Sequence, residues 1–123
     1  MKSDSRTTVQ HLKHLLKQFR DERDWMKFHD AKNLAEAISV EASELLELFL
    51  WKSATDVANA MKSDRDLRKA VEEELADVLC FSLSFANATN IDVSRIITEK
   101  IDVNRTKYPV SKARGTATKY DKL

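Results

Sequence analysis

VEASELLELFLW, residues 40–51, places apolar residues three or four positions apart, which is the spacing of one face of an α-helix. The same apolar face begins upstream at Leu34 and continues to Leu48. Glu41 lies on this face, at a position where the spacing calls for an apolar residue. The stretch therefore predicts a helix from about Asn33 to Trp51 that carries an acid on its buried side.

A second stretch, VEEELADVLC (residues 71–80), repeats this anomaly, because the apolar face that runs from Leu67 to Phe85 passes through Glu74. In both stretches another acid follows three residues after the first. Residues at this spacing lie on one side of a helix, with Cβ atoms about 5–6 Å apart. The two pairs are Glu41 with Glu44 and Glu74 with Asp77.

The four carboxylates indicate a site for a divalent cation. Burying unpaired carboxylates is costly, and neither apolar face offers a lysine to compensate them. Mg²⁺ prefers carboxylate oxygen, with Mn²⁺ as a substitute. A di-iron bundle would require Glu-x-x-His units, and His11, His14 and His29 all lie outside the two acidic helices. The alternative is that the acids lie on solvated faces and the apolar faces are one residue out of register.

The rest of the chain is also helical in pattern. One Gly and one Pro in 123 residues favour helix over sheet. We predict an all-α fold, a bundle of four to five helices completed by homo-oligomerisation. Besides the helix at 33–51, the predicted elements are a helix at 7–22 capped by Thr7 or Thr8, a loop at 23–33, a short helix capped by Thr55 or Asp56 that ends near Ser63, a helix from Asp64 to Asn87 or Ala88, and a helix that begins at Asp92 and ends at Pro109.

Composition limits the possible functions. Lys and Arg number 21 and Asp and Glu number 20, so a formal charge of +1 gives no reason to expect nucleic-acid or membrane binding. The single cysteine, Cys80, cannot form an internal disulfide, and we expect it to pack in the core. The sequence contains no signal peptide and no membrane span, which predicts a cytoplasmic protein.

Four segments carry a resemblance to a known family: FRDERDWMKFHDAKNL (19–34), EASELLELFLWK (41–52), EEELADVL (72–79) and KIDVNRTKYP (100–109). In this order they resemble the MazG-like, all-α nucleoside triphosphate pyrophosphohydrolases, and among these the dCTP pyrophosphatase branch. The resemblance implies a MazG-like domain at residues 1–110. The last residues have no apolar period and an excess of Lys and Arg, so we predict a basic tail at 111–123 that is mobile or ordered by a ligand. Where that branch has a histidine, this chain has Leu16, which bears on base selectivity.

The resemblance implies Mg²⁺-dependent hydrolysis between the α and β phosphates of dCTP or a related, modified deoxynucleotide, as a house-cleaning activity. The implied catalytic and metal-binding residues are Glu41, Glu44, Glu74 and Asp77. The implied phosphate-binding residues are Lys100, Asn104, Arg105 and Tyr108. Candidates for the base pocket are Trp25, His29, Asn33, Trp51 and Phe81, where flat rings offer stacking area and Asn33 either bonds the base or caps its helix.

Family resemblance also implies a homo-oligomer, with a tetramer preferred over a dimer and pockets completed by a neighbouring subunit. The alternative function is a catalytically silent helical protein that binds a partner or a nucleotide. A nucleic-acid binder would rest only on the basic tail and is less favoured. Base and sugar preference, the number of metal ions and the identity of the general base remain open at this point.

Overall fold

The structure, a computed structural model, describes residues 2–123 and contains only helices and turns over this range. The chain divides into two compact units, the first ending at Asn90 and the second comprising Ile91–Leu123. The α-helices are α1 (Val9–Glu22), α2 (Ala31–Glu47), α3 (Ala54–Ser63), α4 (Arg65–Thr89), α5 (Val93–Lys107) and α6 (Val110–Ala113). Two short 3-10 helices span Met26–Phe28 and Tyr120–Lys122.

In the first unit, α4 is the central helix, and α1, α2 and α3 all pack against it. Leu34 on α2 is the most deeply buried large apolar residue of the described chain, at 2% exposed. The predicted apolar faces of α2 and α4 are the more buried faces, and Glu41 and Glu74 are half-buried within them. The register of both faces is therefore confirmed, and the alternative of a one-residue shift is wrong for these two acids.

Several helix boundaries follow the sequence prediction, and three do not. The side chains of Thr8, Asp64 and Asp92 accept hydrogen bonds from the first turns of α1, α4 and α5, as predicted. The prediction that α2 begins near Asn33 was wrong, because Asp30 caps it and the helix begins at Ala31. Ser53 caps α3, in place of the predicted Thr55 or Asp56, because Ser53 and Asp56 form a reciprocal capping box.

The C-terminal end of α2 also differs from the prediction, since the helix ends at Glu47 and not at Trp51. The next residues form tight turns, in which the amide of Phe49 bonds the Leu46 carbonyl and that of Leu50 bonds the Glu47 carbonyl. Trp51 closes the segment at φ 65°, a left-handed conformation that is uncommon for a bulky residue.

The second unit consists of α5, α6 and the C-terminal 3-10 helix. The predicted count of four to five helices was one short, because α6 begins directly after Pro109, where we predicted a mobile or ligand-ordered tail. The Tyr120 ring meets Tyr108 edge-on at 6.0 Å between centroids, and the Lys107 Nζ lies 4.6 Å from the Tyr120 centroid. The tail thus packs on the end of α5.

No helix of the described chain combines the length and the apolar character that crossing a membrane requires.

Candidate functional site

The packing of α2 against α4 brings three of the four predicted acids together. Glu41 and Glu44 on α2 and Glu74 on α4 each offer one carboxylate oxygen, and these oxygens all lie within 4.8 Å of one another. The i, i+3 spacing places the first two on one side of α2, and the half-buried face of α4 presents the third. We call these three residues the acid cluster.

Electrostatics at the acid cluster favour a positive charge. The Glu41 Oε2 and Glu74 Oε2 are buried and have no hydrogen-bond partner among the described residues. A hydrogen bond with Glu44 raises the pKa of Glu41 to about 7, helped by partial burial and by the surrounding carboxylates. Partial burial, followed by the charge of Glu44, raises the pKa of Glu74. The chain itself thus leaves carboxylate oxygens without donors, which fits a hard divalent cation.

Asp77, the fourth predicted acid, lies outside the group of three but close to it. Its negative charge contributes to the raised pKa of both Glu41 and Glu74. The side chain is exposed and lines a cavity of about 340 Å³ in the first unit. Asp77 therefore joins the acid cluster to this cavity.

Most of the cavity wall is apolar and aromatic. Its lining residues are Leu16, Phe19, Trp25, His29, Asp77, Cys80, Phe81 and Ser84. The base-pocket candidates among them are Trp25, His29 and Phe81. Sequence reasoning did not assign Phe19, Cys80 and Ser84 to the site. Helical spacing from Asp77 gives a signal for the last two, since positions 80 and 84 follow it on one face of α4.

The aromatic wall is held by contacts at the end of α1. The Phe19 and Trp25 rings meet edge-on at 5.8 Å between centroids. The Arg23 guanidinium lies 3.7 Å from the Phe19 ring centroid and donates a 2.9 Å hydrogen bond to the Phe19 carbonyl. Asp24 adopts φ 53°, a left-handed conformation, and the Trp25 amide donates to the Arg20 carbonyl at 3.1 Å.

Two further lining residues carry polar atoms. The His29 Nδ1 is buried and has no hydrogen-bond partner within residues 2–123. Burial lowers the pKa of His29, and the nearby Arg20 charge lowers it further, so the imidazole is neutral at pH 7. Cys80 does not pack in the core as expected, because its exposed side chain lines the cavity. Burial and the Asp77 charge raise the pKa of its thiol, which keeps it protonated.

Two base-pocket candidates lie away from this cavity's wall. The Asn33 amide donates to the Phe28 carbonyl at 3.2 Å and so holds the loop before α2, whose cap is Asp30. Trp51 is 94% exposed.

The predicted phosphate-binding residues all belong to the second unit. Lys100, Asn104 and Arg105 are exposed on α5, and Tyr108 follows its last residue. Lys100 and Asn104 are spaced i, i+4 and therefore share one side of the helix. The Arg105 guanidinium pairs with Asp102 at 2.7 Å.

Comparison with known proteins gives a consistent result. A model of the MazG-like family matches residues 37–123. The chain is 39% identical over 116 residues to dCTP pyrophosphatase 1 of Rattus norvegicus, a match that covers 94% of this chain and 68% of the relative. It is 37% identical over 116 residues to dCTP pyrophosphatase 1 of Homo sapiens, with the same coverage of both chains.

A solved structure is also similar. The crystal structure of a pyrophosphatase from Archaeoglobus fulgidus superimposes with a TM-score of 0.77 at 34% sequence identity. The superposition covers 89% of this chain and 99% of the archaeal one.

Proposed function

Because this chain belongs to the MazG-like family, we propose that it hydrolyses dCTP or a related, modified deoxynucleoside triphosphate in nucleotide-pool house-cleaning. It is a nucleoside triphosphate pyrophosphatase, an enzyme that yields a nucleoside monophosphate and pyrophosphate. The observation that carries the substrate proposal is the position of Asp77, which adjoins the acid cluster and also lines a cavity walled by aromatic rings. The phosphates of a nucleotide require the acid cluster and its cation, the base requires the aromatic cavity, and one nucleotide can use both only if they are adjacent.

The proposed metal ligands and catalytic residues are Glu41, Glu44, Glu74 and Asp77. The donor set is all oxygen, and two of its oxygens are buried without a donor, which supports Mg²⁺, with Mn²⁺ as a substitute. When bound, the cation supplies positive charge that neutralises phosphate oxygens and makes water more acidic. The carboxylates would hold that charge next to the cavity that Asp77 lines, and one of them would accept the proton of the attacking water as general base.

For the triphosphate chain, we assign Lys100, Asn104, Arg105 and Tyr108. Cationic and amide groups donate hydrogen bonds to phosphate oxygens, and all four side chains are exposed. Arg105 must exchange its pairing with Asp102 for a phosphate, so we expect it to contribute less than Lys100.

For the base, we assign Trp25, His29 and Phe81 to the cavity of the first unit, where the rings provide stacking surface. Asn33 supports this wall by holding the Phe28 carbonyl. Trp51, whose ring is almost fully exposed, we assign to the pocket of a neighbouring subunit.

We further propose that the protein is a cytoplasmic homo-oligomer, a tetramer in preference to a dimer, that binds neither nucleic acid nor membrane. Large apolar side chains are exposed on α2 and α4, among them Leu46, Leu75 and Leu79, and association would cover them. The catalytic domain is proposed to span residues 1–110, and residues 111–123 form the tail.

A nucleotide panel tests the function. The protein is incubated with Mg²⁺ and each common deoxynucleoside and ribonucleoside triphosphate, and products are separated by ion-exchange chromatography. We expect monophosphate and pyrophosphate, with dCTP or a modified cytosine nucleotide turned over fastest. Orthophosphate as the product, or no turnover of any nucleotide, would overturn the proposal.

Two variants locate the activity. Glu41→Gln removes one charge of the acid cluster and is expected to abolish turnover while the circular dichroism of the helices stays unchanged. Glu47→Gln, an exposed change on the same helix, serves as the matched control and is expected to keep full activity. Retained turnover in Glu41→Gln would remove Glu41 from the catalytic site.

A further inference from the structure

Ser84 is an unusual residue for the wall of a mostly apolar cavity. It is 8% exposed and lines the cavity at the far end of the α4 face that begins with Asp77. Among residues 2–123, its hydroxyl has no hydrogen-bond partner, and its oxygen is not fully buried. Serines within helices commonly donate to the carbonyl four residues earlier, as Ser82 does to the Val78 carbonyl at 2.7 Å.

An accessible hydroxyl on a mostly apolar wall offers one hydrogen bond to a ligand in the cavity. The His29 ring belongs to the same wall, although its Nδ1 is enclosed. The wall thus offers the Ser84 hydroxyl within a mostly apolar space. A ligand that carries hydrogen-bonding groups on an otherwise flat, apolar body matches this wall.

The position of Ser84 along α4 indicates which part of a nucleotide it meets. Ser84 lies seven positions after Asp77, which corresponds to about 10.5 Å along the helix axis. A nucleotide whose phosphates lie at the acid cluster directs its base away from Asp77, along α4. In a pyrimidine nucleotide, position 4 of the ring is opposite the bond to the sugar and enters such a cavity first.

We propose that Ser84 binds the base through a hydrogen bond between its hydroxyl and the substituent at position 4 of a pyrimidine ring. This inference rests on the proposed function, since it requires a nucleoside triphosphate in the cavity. A serine hydroxyl both donates and accepts, so it satisfies an amino group as in cytosine. A base with no polar group at position 4 leaves the hydroxyl unpaired.

The test combines two serine variants with two substrates. Ser84→Ala removes the hydroxyl at the cavity, and Ser82→Ala is the matched control on the same helix, because the Ser82 hydroxyl is already bonded to the backbone. The substrates are dCTP and the triphosphate of the pyrimidin-2-one deoxynucleoside, which lacks the substituent at position 4. Steady-state kcat and KM are measured for each pair with Mg²⁺.

For dCTP, Ser84→Ala is expected to lower kcat/KM by roughly 3–10-fold, the loss of one neutral hydrogen bond, mainly through KM. Ser82→Ala should match the wild type. With the pyrimidin-2-one substrate, Ser84→Ala and the wild type should be equally slow, because the substrate has already lost the same bond. If Ser84→Ala folds poorly, Ser84→Cys replaces it in the test. Cysteine is close to serine in size but is a weak hydrogen-bond donor, so we expect the same loss of kcat/KM for dCTP.

Two outcomes would overturn the inference while leaving the proposed function intact. In one, Ser84→Ala is indistinguishable from Ser82→Ala on both substrates. In the other, Ser84→Ala lowers kcat/KM by the same factor on both substrates, which would assign Ser84 a structural role only. Absence of pyrophosphate release by the wild type from any nucleotide is a different result, because it rejects the proposed function and this inference together.

Discussion

Binding of a divalent cation to the acid cluster should release protons, in an amount that depends on pH. In the metal-free protein the pKa of Glu41 is about 7, raised from 4.5 by the hydrogen bond with Glu44, by partial burial and by the neighbouring carboxylates. With that pKa, Glu41 carries about 0.9 of a proton at pH 6 and about 0.1 at pH 8. A cation that binds the ionised carboxylates displaces this proton. The raised pKa of Glu74 adds to the release.

Isothermal titration calorimetry measures this directly. Mn²⁺ or Mg²⁺ is titrated into the protein in two buffers of different ionisation enthalpy, and the difference in heat gives the number of protons released. We expect the release of about one proton or more per protein chain at pH 6, and of a small fraction of a proton at pH 8. Glu41→Gln should lose this proton or the binding heat itself, whereas Glu47→Gln should match the wild type.

The stability of the metal-free protein should follow the same titration. The folded-state pKa of Glu41 lies above the 4.5 of an unperturbed glutamate, so the folded form binds more protons between the two values. The free energy of unfolding therefore falls as pH rises from about 4.5 to about 7, and excess Mg²⁺ should offset this fall. Equal proton release at pH 6 and pH 8, or a metal-free stability that rises through this window, would refute the electrostatic reasoning.

Three further predictions follow from contacts in the first unit. Arg23→Ala removes the guanidinium from the Phe19 ring and should raise KM for dCTP roughly 2–5-fold at unchanged kcat; a change in kcat alone would contradict this positioning role. Leu34→Ala should lower the free energy of unfolding by about 2–5 kcal/mol, measured by urea denaturation, and a loss below 1 kcal/mol would show that Leu34 is not central to the core. Ser53→Ala removes the cap of α3 and should lower the free energy of unfolding by about 1 kcal/mol in the same urea assay. Ser63→Ala, at the end of that helix, should lower it less.

The register of α2 and α4 could be predicted because helical periodicity is a local property of the sequence. Spacing alone placed Glu41 and Glu74 within buried faces, and packing of the two helices then brought their carboxylates together. Helix caps such as Thr8 could be predicted for the same reason, because capping depends only on the cap residue and the first turn that follows it.

What could not be predicted depends on contacts between distant segments. The cavity is lined by Phe19 from α1 and Ser84 from α4, and nothing in the sequence states which helix packs against which. Cys80 was assigned to the core because its neighbours are apolar, although its spacing from Asp77 places it at the cavity. Ser53 was missed as a cap because KSATD offers several candidates, and the reciprocal bond with Asp56 selects one of them.

We propose that carboxylates from two helices of this protein hold divalent cations beside a nucleotide cavity. A crystal structure with Mn²⁺ and a deoxycytidine triphosphate analogue that cannot be cleaved between its α and β phosphates would show this arrangement, with the metal located by anomalous scattering. We expect Mn²⁺ between Glu41, Glu44, Glu74 and Asp77, with the base against Trp25 and Phe81. An anomalous peak elsewhere, with these four side chains turned away from the metal and the phosphates, would contradict it.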